Sequence, residues 1–170
     1  IIEKILELLS GYKASKEAKR TNANKLKKVA ICVGHSRIGD KGATSVGGIS
    51  EWTYNAKVAD LLKIHLRHQG IQAVVFDEYP SNSYGGAMEW LAQSVAKEEC
   101  DIAIELHFNS YSSSKTGGYE YLHYHTSGEG RRLAECFRRS HSEFSDVQTD
   151  RGVKARKAGG RSGGFLRRVP

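Results

Sequence analysis

The chain has 170 residues, 39% of them hydrophobic, with 26 Lys and Arg against 19 Asp and Glu and a formal charge of +7. That length suits one domain with a real core, and the apolar content with only two prolines excludes a wholly disordered polypeptide. No run of eighteen apolar residues exists, so no membrane-spanning helix is expected. No signal peptide is expected in residues 1–10 either, because Glu3, Lys4 and Glu7 interrupt the apolar run.

The charge is segregated. Residues 1–28 carry eight basic and three acidic groups, residues 151–168 carry seven basic groups and no acid, and the stretch between has an excess of acids. Basic ends of this kind attract polyanions such as nucleic acid, anionic lipid or anionic wall polymer, or serve as solvated tails and linkers.

Residues 1–10 place apolar side chains at the spacing of a short helix, and residues 12–27 read as a polar, basic linker. A strand is expected over 28–34 (KVAICVG), followed by a Gly- and Ser-rich loop over 35–50. Ser50 is a candidate cap for a helix starting at Glu51 or Trp52 and stopping at Gly70, with Val58, Leu61, Leu62 and Leu66 on one face. A strand over 71–76, a loop over 80–86 and a helix over 87–99 with Trp90, Leu91 and Val95 inward come next. Strands over 101–108 and 119–125 follow, then a helix over 130–144 with Leu133, Phe137 and Phe144 inward. Residues 165–170 read like the entry to a further strand. Strands alternating with helices imply an α/β layered domain with a largely parallel sheet, whose ligands bind at the carboxyl ends of the strands.

Two histidines fall at such ends. His35 follows the first strand, and His107 closes the third, on the face it shares with Ala103 and Glu105. Glu51 opens the first helix. Two imidazoles and a carboxylate are a set that catalytic zinc takes, leaving a coordination position for water. Taken singly, a strand-end histidine is also a common structural residue, and Glu51 also suits the helix dipole. His65 and His68 near a helix end, His123 and His125 on a strand, and His141 on a helix are read as having no metal role. The three cysteines, Cys32, Cys100 and Cys136, lack CxxC spacing and read as ordinary thiols. The glycine-rich stretch 38–48 lacks the Gly-Lys-Ser/Thr ending of a phosphate loop and reads as a flexible rim.

The ordered series ICVGHS, GGISEWTYNAKVADLLKIHLRHQG, DIAIELHFNS, GGYEYLHY, DRGVK and FLRRVP resembles the zinc-dependent N-acetylmuramoyl-L-alanine amidases of bacteria and phages. The resemblance covers residues 28–170, leaving 1–27 as a separate helix and linker. It implies an α/β three-layer sandwich around a twisted, largely parallel sheet. It matches His35, Glu51 and His107 to the three ligands of one zinc ion. It implies peptidoglycan as the partner and cleavage of the amide between N-acetylmuramic acid and L-alanine of the stem peptide. Action at the cell wall, in the periplasm or outside the cell, after export or phage release, is implied with it.

Two departures accompany the resemblance. The family's general-base Glu is expected beyond Pro170 with the last strand, so these 170 residues are expected to bind zinc yet cleave weakly or not at all. The position two before the metal histidine is often Ser in the family and is Glu105 here. Glu105 stands open between a partner for a ligand histidine, a substrate contact, a substitute acid and a plain rim carboxylate. Asn109, Arg156 and Arg161 are candidate substrate contacts, with Lys157 beside them, and a basic tail is the competing reading of 154–165. Alternatives to the amidase are a related zinc hydrolase on another amide, and a non-catalytic wall- or polyanion-binding module. Aromatics scarcely interleave with the basic ends, so nucleic acid is not expected as a partner.

Overall fold

The structure is a computed structural model that describes residues 26–80, 83–109, 117–143 and 149–157. The expected helix over 1–10, Phe144, Arg161 and the strand entry at 165–170 lie outside the described residues. The described chain divides into two compact units, one ending at Phe108 and the other beginning at Asn109.

The first unit runs β1 (Lys28–Val33), α1 (Glu51–His68), β2 (Gln72–Phe76), α2 (Tyr84–Lys97) and β3 (Ile102–Leu106). Its strands form one sheet in the order β2-β1-β3, with both pairings parallel. β1 lies in the middle, and Val29 to Val33 are wholly buried, which explains its near-continuous apolar sequence. Burial pushes the Cys32 thiol well up, so it is an inert core group. At the other end of β1, Asp101 Oδ2 accepts from the Lys27 and Lys28 N–H groups at 2.7 and 2.8 Å, fastening the segment before β3 beside the start of β1.

Helix α1 begins where Ser50 caps it, its side chain accepting from the Thr53 N–H. It ends beside Gly70, whose φ of +71° suits glycine. Glu51, Asn55, Ala59, Leu62 and Leu66 are buried, a stripe spaced by three and four residues. Leu61, expected on that inner face, is 47% exposed instead, because one residue of helical rotation carries it off the stripe. Helix α2 starts three residues earlier than expected, capped by Ser83, which accepts from the Gly86 N–H. Leu91 and Val95 are fully buried. Trp90 sits edge-on to Phe76 and Tyr79. β3 stops at Leu106, so His107 stands just past its end.

The second unit runs β4 (Tyr119–Tyr124), α3 (Gly128–Ser142) and β5 (Asp150–Arg156). β4 and β5 pair in parallel as a two-stranded sheet, with a register irregularity between Tyr119 and Tyr121. Helix α3 packs Ala134 and Ser140 inward, and Phe137 stacks on Tyr121 at a centroid distance of 6.1 Å. His141 stacks on Tyr119 at 3.7 Å, and its Nδ1 meets the Tyr121 hydroxyl at 2.9 Å.

The α/β class and the parallel strands agree with the sequence reading. β5 corrects it, because the start of the supposed basic tail is a strand. Its charges are partnered there: Glu120 meets Lys154 in a short contact, Arg151 at 3.4 Å and Arg156 at 3.9 Å. All three cysteines are free thiols.

The core of the first unit sets a test. Leu66→Ala removes a fully buried side chain and is expected to cost about 2–5 kcal/mol. Leu61→Ala, five residues earlier on the same helix but outside the stripe, is expected to change stability by less than about 0.5 kcal/mol. Urea denaturation of the two variants checks the contrast, and equal losses would refute the assigned face.

Candidate metal centre

The site is assembled where β1 and β3 end and α1 begins. In the parallel register Val33 stands beside Leu106, so the residues that follow each strand emerge together. The Gly34 N–H extends the pairing by donating to the Leu106 carbonyl at 2.8 Å. A Cβ on Gly34 would lie 2.5 Å from the His107 ring and from that carbonyl, so the close approach needs glycine. The chain then turns sharply, with His35 at φ +68°. That is an uncommon conformation for a non-glycine residue, and such residues gather at functional sites.

The glycine-rich stretch 38–48 is expected as a flexible rim, and the loop that contains it is cross-tied. Ser36 N–H donates to the Asp40 carbonyl, Ser45 N–H to the Ile49 carbonyl, and Glu51 N–H to the Ala43 carbonyl at 2.7 Å. Asp40 Oδ1 accepts from the Gly42 N–H at 2.9 Å, and its Oδ2 lies 2.9 Å from His35 Nδ1. Asp40 went unremarked in the sequence, where an acid two residues before a glycine in a loop reads as turn chemistry.

Glu51 is the hub. It is only 2% exposed. Its Oε1 accepts from the Phe108 N–H at 2.7 Å and lies 3.0 Å from His107 Nδ1. Its Oε2 accepts from the Ala43 N–H at 3.0 Å and lies 3.4 Å from His35 Nε2. Burial alone would raise its pKa, but His107 and the two backbone donors outweigh that and hold the carboxyl below the usual range. Gly42, at φ +73°, gives room for this: a Cβ there would lie 2.6 Å from Glu51 Oε2 and from the His35 ring.

His35, Glu51 and His107 thus bring one ligand atom each to within 4.8 Å of one another, the arrangement of a group able to hold a metal ion. The two imidazoles meet edge to face, with centroids 5.3 Å apart. Glu105 lies beside them, its Oε1 3.1 Å from His107 Nε2.

The other expected site residues fall elsewhere. Asn109 donates to the Gly118 carbonyl at 3.4 Å, a loop contact. Arg156 faces Glu120 on the paired strand, and Lys157 follows at the end of β5. His65 and His68 face each other with ring centroids 6.4 Å apart. His123 Nδ1 donates to the Tyr124 carbonyl at 2.8 Å, and His125 packs on the Tyr124 ring. None of these four histidines joins a metal-holding group among the described residues.

Without metal, His107 takes the place of a cation between two carboxylates. Burial lowers its pKa, but Glu105 and Glu51 overcome that and push it up to about 10 from 6.5. Because the folded value is raised, this stabilisation is complete below pH 6.5 and is lost as pH rises through about 10. In chelator-treated protein, the stability gap between the parent chain and His107→Gln is expected to narrow between those limits. Urea denaturation across that range measures it, and a gap independent of pH would refute the assignment.

Comparison with known proteins agrees with the geometry. The family model for N-acetylmuramoyl-L-alanine amidase matches residues 29–167. Sequence comparison with curated proteins gives no match. Among solved structures, the catalytic domain of the CD27L endolysin targeting Clostridia difficile is similar, with a TM-score of 0.65 and 26% identity over 78% of this chain and 72% of that one. The N-acetylmuramoyl-L-alanine amidase AmiC2 of Nostoc punctiforme gives 0.63 and 23%, over 87% and 76%. The N-acetylmuramoyl-L-alanine amidase from Clostridium difficile 630 gives 0.66 and 22%, over 86% and 76%. The match along most of its length places this chain in the N-acetylmuramoyl-L-alanine amidase family, the peptidoglycan hydrolases.

Proposed function

We propose that His35, Glu51 and His107 hold one zinc ion and that the amide between N-acetylmuramic acid and L-alanine is cleaved there. The observation that carries this reading is the convergence of the three ligand atoms within 4.8 Å at the ends of two parallel strands. The donor set fits zinc, since two imidazole nitrogens and one carboxylate leave a position open, whereas calcium and magnesium favour all-oxygen shells. The surroundings fit a cation as well. Two carboxylates, those of Glu51 and Glu105, bracket His107, and Glu105 Oε1 is buried without a hydrogen bond.

When bound, zinc supplies a Lewis acid for the scissile carbonyl and a water of lowered pKa. The chain's own residues supply the frame. Two backbone N–H groups fix the Glu51 carboxylate, and the rim loop and strand end are thereby held to the same helix start. Asn55 donates to the Leu106 carbonyl at 3.1 Å and secures the segment that presents His107. Such positioning matters because a misplacement of about 1 Å at a site costs about 10²-fold in rate. The enzyme acts at the bacterial cell wall, and we place it outside the cytoplasmic membrane because its substrate lies there.

Elemental analysis of the purified chain tests the site. About one zinc per chain is expected, lost in His107→Ala. Whatever release of L-alanine amino termini from purified peptidoglycan the parent shows, weak as it is expected to be without the family's general base, is expected to fall at least about 10²-fold in that variant, since a metal lowers the barrier by several kcal/mol. Zinc absent from the reconstituted parent, or retained by the variant, would overturn the reading. Gly34→Ala is a separate probe, because it keeps every ligand yet sets a Cβ 2.5 Å from the His107 ring. It is expected to lose zinc too, and full occupancy would show that the strand ends yield.

A further inference from the structure

The two histidines present different nitrogens to Glu51. His35 turns Nε2 toward it and His107 turns Nδ1. Each far nitrogen meets its own carboxylate: His35 Nδ1 meets Asp40 at 2.9 Å, and His107 Nε2 meets Glu105 at 3.1 Å. The two partners differ in setting. The Asp40 side chain is 78% exposed, whereas that of Glu105 is 9% exposed. Water screens the first contact and hardly reaches the second.

Glu105 is also held in place from behind. It lies within β3, where its backbone pairs in register with Cys32 of the fully buried central strand. Its Oε1 is buried and makes no hydrogen bond of good geometry, so the short contact to His107 Nε2 leaves acceptor capacity in reserve. A buried carboxylate oxygen is costly without a donor, and the His107 Nε2 that faces it at 3.1 Å is placed to supply one.

We infer that Glu105 is a positioning residue for the metal centre: by accepting from Nε2–H of His107 it fixes the tautomer and ring orientation that present Nδ1 to the ion. This rests on the zinc reading above and deepens it. The carboxylate does not contact the metal in this assignment. It acts through the imidazole, making it a better donor and sparing the ion a search among ring orientations.

The test uses the full 170-residue chain. Zinc affinity is measured by competition with a chelating indicator for the parent, Glu105→Ala and Glu105→Gln. Loss of such a partner weakens metal binding about 10- to 100-fold, and that drop is expected for Glu105→Ala. Glu105→Gln keeps an amide oxygen that accepts the same hydrogen bond, so it is expected to recover most of the affinity. Nitrogen-15 spectra of histidine-labelled, zinc-loaded protein give a readout that a merely structural role would not move. His107 is expected to carry its proton on Nε2 in the parent and in Glu105→Gln. Circular dichroism of the metal-free variants identifies any that fail to fold, and the near-isosteric Gln variant then carries the test through the site of its proton. Zinc affinity of folded Glu105→Ala within two-fold of the parent, or a proton on Nδ1 of His107, would overturn the assignment while leaving the metal site standing. A parent chain that takes up no zinc would overturn both readings together.

Discussion

The burial of one carboxylate organises this site. Removing Glu51 from water costs several kcal/mol unless its oxygens are fully bonded. Here backbone N–H groups from the rim loop and from the residue after His107 meet one oxygen each. Those two donors belong to segments far apart in sequence, so satisfying Glu51 closes the loop and aligns the strand end in a single step. The position at the opening of α1 adds the favourable field of the helix N-terminus. Both imidazoles lie against this fixed anion.

The parallel sheet is what makes such convergence available. With β1 between β2 and β3, the carboxyl ends of all three strands point the same way. Side chains bond the carbonyls at those ends, that of Leu106 in addition to its Gly34 N–H partner. Asn55 bonds the Leu106 carbonyl, and Tyr79 bonds the Val33 carbonyl through a short contact. Trp52 donates from Nε1 to the Asp77 carbonyl just past β2. Residues of α1 and of the segment after β2 thus tie down this edge, and His35 in the turn and His107 at the exit bring their ring nitrogens to the centre between them.

Much of this was legible in the sequence because it depends on local signals. The apolar run of β1, the Ser50 cap, the carboxylate that follows it and the alternation through Glu105 and His107 each state their geometry within a few residues. Other features needed partners that only the fold supplies. Leu61 looked as apolar as Leu62, and helical rotation alone separated them. β5 was hidden because Arg151, Lys154 and Arg156 looked like a solvated tail until Glu120 was placed opposite them. Asp40 was hidden by its glycine-rich surroundings, and its pairing with His35 depends on a left-handed turn that sequence does not announce. The candidate ligand set stood out in the sequence, and so did Glu105 by its alternation with His107, while Asp40 behind His35 did not, because a hydrogen bond to the far side of a ring across a turn leaves no spacing rule.

Charge balance links the frame to its chemistry. Glu51 and Glu105 flank His107 on its two nitrogens, and both lie away from solvent. An arrangement of two anions around one ring favours positive charge between them: burial lowers the His107 pKa, and Glu105 and Glu51 more than reverse it. On the proposed reading, Nδ1 of His107 would be one of the atoms that hold a divalent cation, and it would then carry no proton. The Nε2 proton stays, because Glu105 holds it. On that reading metal uptake would exchange one cation for another beside two buried carboxylates, and binding would release a proton. The bonds that hold Glu51 come from backbone groups, which carry no charge to titrate, so the frame of the site does not depend on which cation balances it.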